Sequence, residues 1–265
     1  MGLERRRAAG NDLGLEQRHA DARHCRCETF AVTRKCLLEI SVETLEAAMA
    51  AERGGADRIE LCGTLSFGGV TPRAELLRGV RPQLRIPIFC MIRPRAGDFV
   101  YSGAEFSEMR RSIANAKESG IDGLVLGVLT KDHRVDVERT RELVELAKPL
   151  PVTYHRAFDE TGDLHQALED VIETGAKRIL TSGGAKSALE GAAVLAELIE
   201  AALERIVIVP GAGISGANIA EVVRRTRALE FHSGLSAALP YGSVEYKKFE
   251  EEVRKLVEQL EQVST

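Results

Sequence analysis

From Leu37 onward, short apolar or alternating runs are separated by longer stretches with helical spacing, and this beat continues to the end of the chain. Strands are predicted at 37–41, 57–62, 87–92, 123–128, 151–156, 177–181, 206–209 and 229–232. Ser41 is the predicted cap of a helix whose apolar stripe includes Leu45, Ala48 and Met49 and which Gly54-Gly55 would end. Thr71-Pro72 reads as another helix start, a cap followed by proline at the first helical position. Phe106, Met109 and Ile113 mark a further helix, and Tyr246, Phe249, Val253, Leu256, Val257 and Leu260 share one face of the closing helix. Strands alternating with helices of this length predict a parallel sheet. Eight of them without an intervening linker predict a single (β/α)8 TIM barrel over 37–265, after an extension of residues 1–36 that lacks sustained periodicity.

In such a barrel all C-terminal strand ends meet at one mouth, so distant residues line one cleft. Buried parallel strands normally read as continuous apolar runs, yet several here alternate polar with apolar. Because successive side chains take opposite faces, Leu38, Ile40, Ile59 and Leu61 point to the helices, and Cys90 with them. The inward set is Glu39, Ser41, Arg58, Glu60, Cys62, Phe89, Met91, Arg93, Thr153, His155, Glu230 and His232. Isolated buried charges are costly, so these carboxylates and guanidiniums must pair, bind a ligand or meet water. Position separates the two outcomes. Arg58 and Glu230, away from the strand ends, suit a structural ion-pair layer; Glu39, Glu60, Arg93, His155 and His232, at or near the ends, suit acid–base work at the mouth.

Composition narrows the partners. With 36 basic against 40 acidic residues in 265, no polybasic field favours nucleic acid. The expected partner is a small molecule or a metal ligand. Five cysteines, the lack of a signal-peptide core and the lack of any run of about 18 apolar residues predict a soluble protein of a reducing cytosol, with no membrane span. Cys25 and Cys27 with His19 and His24 offer soft-metal ligands, but no partner pair at finger-like spacing follows, so a plain tail is expected.

Candidate anion contacts lie in two places. Arg93 and Arg95, with proline between them, can fork onto a carboxylate or phosphate, or one of them can pair with Asp98. Gly211, Gly213 and Ser233, at the ends of the seventh and eighth strands, fall where many barrels bind phosphate through backbone N–H groups. In that scheme Arg93 clamps an anion, Glu60 or Glu39 acts as base, and His155 or His232 as acid, in lyase, isomerase or hydrolase chemistry.

Five motifs taken together resemble the CutC family, called copper homeostasis proteins. They are Ile59-Glu60-Leu61-Cys62, Gly68-Gly69-Val70-Thr71-Pro72, Ile92 to Phe99, His155-Arg156-Ala157-Phe158-Asp159 and Leu180-Thr181-Ser182-Gly183. The resemblance runs from about Leu37 to the end of the eighth strand. It implies a cytoplasmic TIM barrel, a homo-oligomer, linked to copper. It places the family's cleft on Glu39, Glu60, Arg93, His155 and His232, and its copper-binding cysteine, for Cu(I), on Cys62. The family frequently has a second cysteine near the end of the first strand. This chain has Ser41 there, and a neutral hydroxyl is a poor ligand for soft Cu(I). Met91, which faces inward, is the remaining soft donor.

Overall fold

The computed structural model describes residues 36–235 and 239–263. The residue 1–36 extension falls outside these except for Cys36, and its Cys25, Cys27, His19 and His24 lie wholly outside the described residues. The strands are β1 (Leu37–Val42), β2 (Arg58–Leu61), β3 (Ile88–Met91), β4 (Gly123–Leu126), β5 (Val152–Tyr154), β6 (Arg178–Thr181), β7 (Val207–Pro210) and β8 (Glu230–Ser233). They alternate with α1 (Leu45–Gly54), α2 (Ala74–Val80), α3 (Gly103–Glu118), α4 (Val137–Ala147), α5 (Leu164–Thr174), α6 (Ala192–Ala202), α7 (Ile219–Thr226) and α8 (Tyr246–Val263). All pairings are parallel, in the order β7-β6-β5-β4-β3-β2-β1-β8, and β7 touches β8 across the closing seam. This is a TIM barrel. Among the described residues, no helix is long and apolar enough to cross a membrane.

The helices follow local chemistry. Gly55 adopts φ 96°, a left-handed conformation that glycine enters without a Cβ penalty, and closes α1 as expected. Ser102 and Glu105 form a reciprocal capping box on α3, whose buried face is Phe106, Met109, Ile113 and Ala116. Helix α8 buries Val253, Leu256 and Leu260 and packs on α1 and α7.

Two cap assignments are corrected. Thr44, not Ser41, caps α1, its Oγ1 accepting from the Ala47 N–H, because β1 runs on to Val42 and carries Ser41 inside the barrel. Thr71 does not begin α2; its N–H donates to the Arg93 carbonyl and its Oγ1 accepts from the Arg93 N–H, so it extends the β2 loop along the end of β3.

The alternation separates two cores. Leu38, Ile40, Ile59, Leu61 and Cys90 belong to the large cluster between strands and helices, whereas Cys62, Phe89, Met91 and Val125 form a small cluster inside the barrel. Two guanidiniums stack on Phe89, that of Arg58 at 4.8 Å and that of Arg178 at 4.2 Å from the ring centroid. A Cβ at Gly123 would overlap that ring. Gly123→Ala is therefore expected to destabilise the barrel by about 1–3 kcal/mol, as overpacking does. Gly79→Ala in α2, which meets nothing within 4 Å, should gain roughly 0.5–1 kcal/mol. Urea denaturation of the pair checks the contrast.

Candidate functional site

Register creates the deepest part of the site. Glu39 stands opposite Arg58 on β2 and opposite His232 on β8. Its Oε2 accepts from Arg58 Nε at 2.5 Å, and its Oε1 lies 2.8 Å from His232 Nδ1. Arg58 reaches past it to Glu230 at 2.6 Å. Of the two outcomes open to Arg58 and Glu230, a structural ion-pair layer or a ligand contact, the pairing gives the first. Glu39 is drawn into it, with both oxygens occupied and no place on the cavity wall. Burial alone would raise the Glu39 carboxyl, but Arg58 and His232 outweigh it and hold the pKa at about 2.

Above this layer the mouth encloses a cavity of about 420 Å³ whose walls include Ser41, Glu60, Met91, Arg93, His155 and His232. His232 Nε2 lies 3.9 Å from Glu60 Oε2. Burial works against the His232 charge, but Glu60 and Glu39 override it and raise its pKa. Glu60 is raised too, by burial first and then by the neighbouring Glu39 charge. Among the described residues, its buried Oε1 has no hydrogen-bond partner. Across the cavity, His155 caps the turn at Arg156–Glu160 by accepting the Ala157 N–H on Nδ1 at 3.2 Å, which places its proton on Nε2. That Nε2 is likewise buried and unpartnered. Burial, then the positive Arg93, lowers the His155 pKa to about 3, so the ring is neutral at physiological pH.

Several expectations are revised. Arg93 was to clamp an anion, yet its guanidinium donates to the carbonyls of Phe67, Gly68, Gly69 and Gly97 and stacks on Phe99 at 4.7 Å. It organises the two loops of the mouth, leaving Nε buried and unpartnered. Arg95 is outside the cavity wall, bonded to Asp98, Glu105 and the Val100 carbonyl. The Gly211 N–H donates to the Thr181 carbonyl, and a Cβ there would come 2.5 Å from Leu180, so this glycine serves close packing. Ser233 Oγ donates to the Ile214 carbonyl and accepts from the Leu235 N–H, pinning the last two loops. Of Gly211, Gly213 and Ser233, Gly213 alone lines the cavity.

Residues not singled out include Asp159 and Arg156. Asp159 gathers Thr181 Oγ1, the Ser182 N–H and Oγ, and the Gly184 N–H, and pairs with Arg156 at 2.8 Å. Their signal was present in the His155-Arg156-Ala157-Phe158-Asp159 motif. Arg178 was also missed, although it alternates with Ile179 as an inward residue should.

Cys62 is not on the cavity wall but in the small buried cluster with Phe89, Met91 and Val125. Its thiol is fully buried and donates to Glu60 Oε2 at 3.4 Å; burial, then the Glu60 charge, pushes its pKa well up. Cys90 is buried toward the helices and is also raised, by burial and then Glu60. Paired thiolate coordination of copper therefore does not fit these residues.

The model of the CutC family matches residues 36–237. The chain belongs to the CutC family. It is 49% identical over 196 residues to the human copper homeostasis protein cutC homolog, covering 74% of this chain and 72% of that one. Family protein CutC of Chromobacterium violaceum is 48% identical over 197 residues, covering 74% and 80%. A copper homeostasis protein CutC structure from Streptococcus agalactiae superposes with TM-score 0.72 at 30% identity, covering 75% of this chain and 98% of that one. Phosphoribosylanthranilate isomerase of Thermotoga maritima, at TM-score 0.57 and 14% identity over 86% of this chain and 99% of that one, shares the barrel fold.

The two cleft histidines of this CutC-family chain should titrate oppositely. In NMR, His155 stays neutral down to about pH 3, while His232 has a midpoint above the ordinary 6.5. His155 is lowered on folding, so stability falls as pH drops from 6.5 toward 3. The contribution of His232, raised on folding, is full below 6.5 and is lost as pH rises through its folded value. That of Glu39 is present above 4.5 and lost as pH falls through about 2. Between pH 7 and pH 5 the urea midpoint of His155→Gln should fall less than that of the unmodified protein.

Proposed function

We propose that the mouth of this CutC-family barrel is an acid–base site for a small anionic molecule. Glu60 takes the proton from a carbon next to a carbonyl. The C–H electron pair moves into the carbon–carbon bond and the carbonyl pair onto oxygen, where the His155 Nε2–H stabilises the developing charge. The observation that carries this reading is a carboxylate oxygen and an imidazole N–H, both buried and unpartnered, in residues lining one cavity. Glu60 has the raised pKa a base needs, and His155 is neutral, as a hydrogen-bond donor to a carbonyl should be. Arg93 Nε and Arg156, on the same wall, supply positive charge for a carboxylate or phosphate.

The test is solvent exchange. The full chain is incubated in D2O with a panel of phosphorylated ketoses and α-keto acids, and deuterium incorporation is followed by proton NMR. Exchange at one carbon is expected, slowed about 10²–10⁴-fold in Glu60→Gln. No exchange across the panel, or exchange that survives Glu60→Gln, would overturn the reading.

A second reading, Cu(I) held by the Cys62 thiolate and the Met91 thioether, draws on the copper homeostasis names of relatives. One observation favours it: a Cβ at Gly69 would lie 3.0 Å from Cys62 Sγ and 3.6 Å from the Met91 methyl, so both sulfur side chains pack against the same glycine. Competition against a Cu(I) chelator should then show an affinity that falls at least about tenfold, or 1.4 kcal/mol, in Cys62→Ser. Unchanged competition removes this reading. The buried free thiols Cys36, Cys62 and Cys90 suit a reducing compartment and so support a cytoplasmic location.

A further inference from the structure

Glu60 and His232 approach each other without bonding. The ligand atoms of Glu39, Glu60 and His232 all lie within 4.8 Å of one another, and every one of these residues is buried. Glu60 Oε2 and His232 Nε2 are 3.9 Å apart, too far for a hydrogen bond. Two bonds of about 2.0–2.2 Å, the usual zinc–nitrogen and zinc–oxygen lengths, span such a gap. Glu39 Oε1 is 2.8 Å from His232 Nδ1, the other ring nitrogen. A carboxylate on the far nitrogen is the arrangement that orients metal-binding histidines.

We infer that a divalent cation preferring nitrogen and oxygen ligands, of the zinc class, seats between Glu60 Oε2 and His232 Nε2, with Glu39 orienting the imidazole. Independent support comes from the opposite wall. His155, 3% exposed, lines the same cavity with its Nε2 unpartnered, and Glu60, also 3% exposed, has Oε1 unpartnered. A ligand held by the cation in that cavity would meet both. The chemistry differs from that of a copper site on Cys62, because carboxylate and imidazole are harder donors than thiolate and thioether. The inference deepens the acid–base reading only in sharing its cavity: Oε2 of Glu60 takes the cation and Oε1 remains available to a substrate.

The experiment titrates the metal-free full chain with Zn2+ by calorimetry and with Co2+ by absorbance and NMR, with no substrate present. One equivalent of each cation is expected. The Co2+ spectrum should lack an intense thiolate charge-transfer band, and paramagnetic shifts should fall on the His232 ring. Glu60→Gln and His232→Gln should each weaken binding at least tenfold, and Glu39→Gln about 10–100-fold, as loss of an orienting partner does. The Co2+ shifts in the unmodified chain keep the test decisive if a variant fails to fold. No binding, a thiolate band, or unshifted His232 signals would overturn the inference. Because no turnover is measured, such a failure leaves the acid–base reading standing, and a chain that binds metal but shows no exchange overturns that reading alone.

Discussion

The salt-linked Glu39 is the joint on which the mouth depends. A carboxylate this deeply buried is tolerated only because Arg58 takes one oxygen and His232 the other. Register makes both contacts, since β1 lies between β2 and β8 and sets Glu39 level with both partners. Removing one partner would strand a charge inside the barrel, where water cannot replace it. The same contact fixes the His232 ring, and with it the distance to Glu60. The structural layer and the chemically open layer are therefore one network, closed below by Arg58 and Glu230 and open above at Glu60.

Polar side chains also build the walls of the cavity. Arg93 draws the carbonyls of Phe67, Gly68, Gly69 and Gly97 to one guanidinium, and Asp159 gathers hydroxyl and N–H groups from Thr181, Ser182 and Gly184. Loops anchored in this way have little freedom to collapse into the barrel, which keeps a space of about 420 Å³ above Glu60. The polar atoms of the mouth thus divide into those that hold other parts of the protein and those that hold nothing in it. Glu60 Oε1 and His155 Nε2 are in the second class, and buried polar atoms of that kind are where ligands find their contacts.

Family membership and site chemistry speak to different levels. Sequence identity near one half with a human relative secures the family. It does not transfer a donor set, because the thiol of Cys62 is held protonated by burial and by Glu60, Ser41 supplies no second thiolate, and Cys90 faces the helices. The barrel fold itself is shared with enzymes of unrelated sequence, so chemistry has to be argued from the atoms at the mouth.

By itself the sequence determined the barrel, the inward and outward faces, and which strand ends carry titratable groups. These follow from local periodicity: a strand alternates, a helix repeats at 3.6, and glycine marks the turn, whatever lies far away in the chain. Thus Glu60, His155 and His232 were legible as inward groups, and Arg58 and Glu230 as a layer. Tertiary structure decided what each group touches. Arg93, Arg95, Gly211 and Ser233 looked alike as anion contacts, but backbone carbonyls from loops up to 26 residues away, or neighbouring strands, had already engaged them. Hydrogen bonds and desolvation depend on distance in space, which no local pattern encodes. That is why the sequence named the residues at the mouth, while only the folded barrel determined that Glu60 Oε1, His155 Nε2 and Arg93 Nε are the atoms left without a partner there.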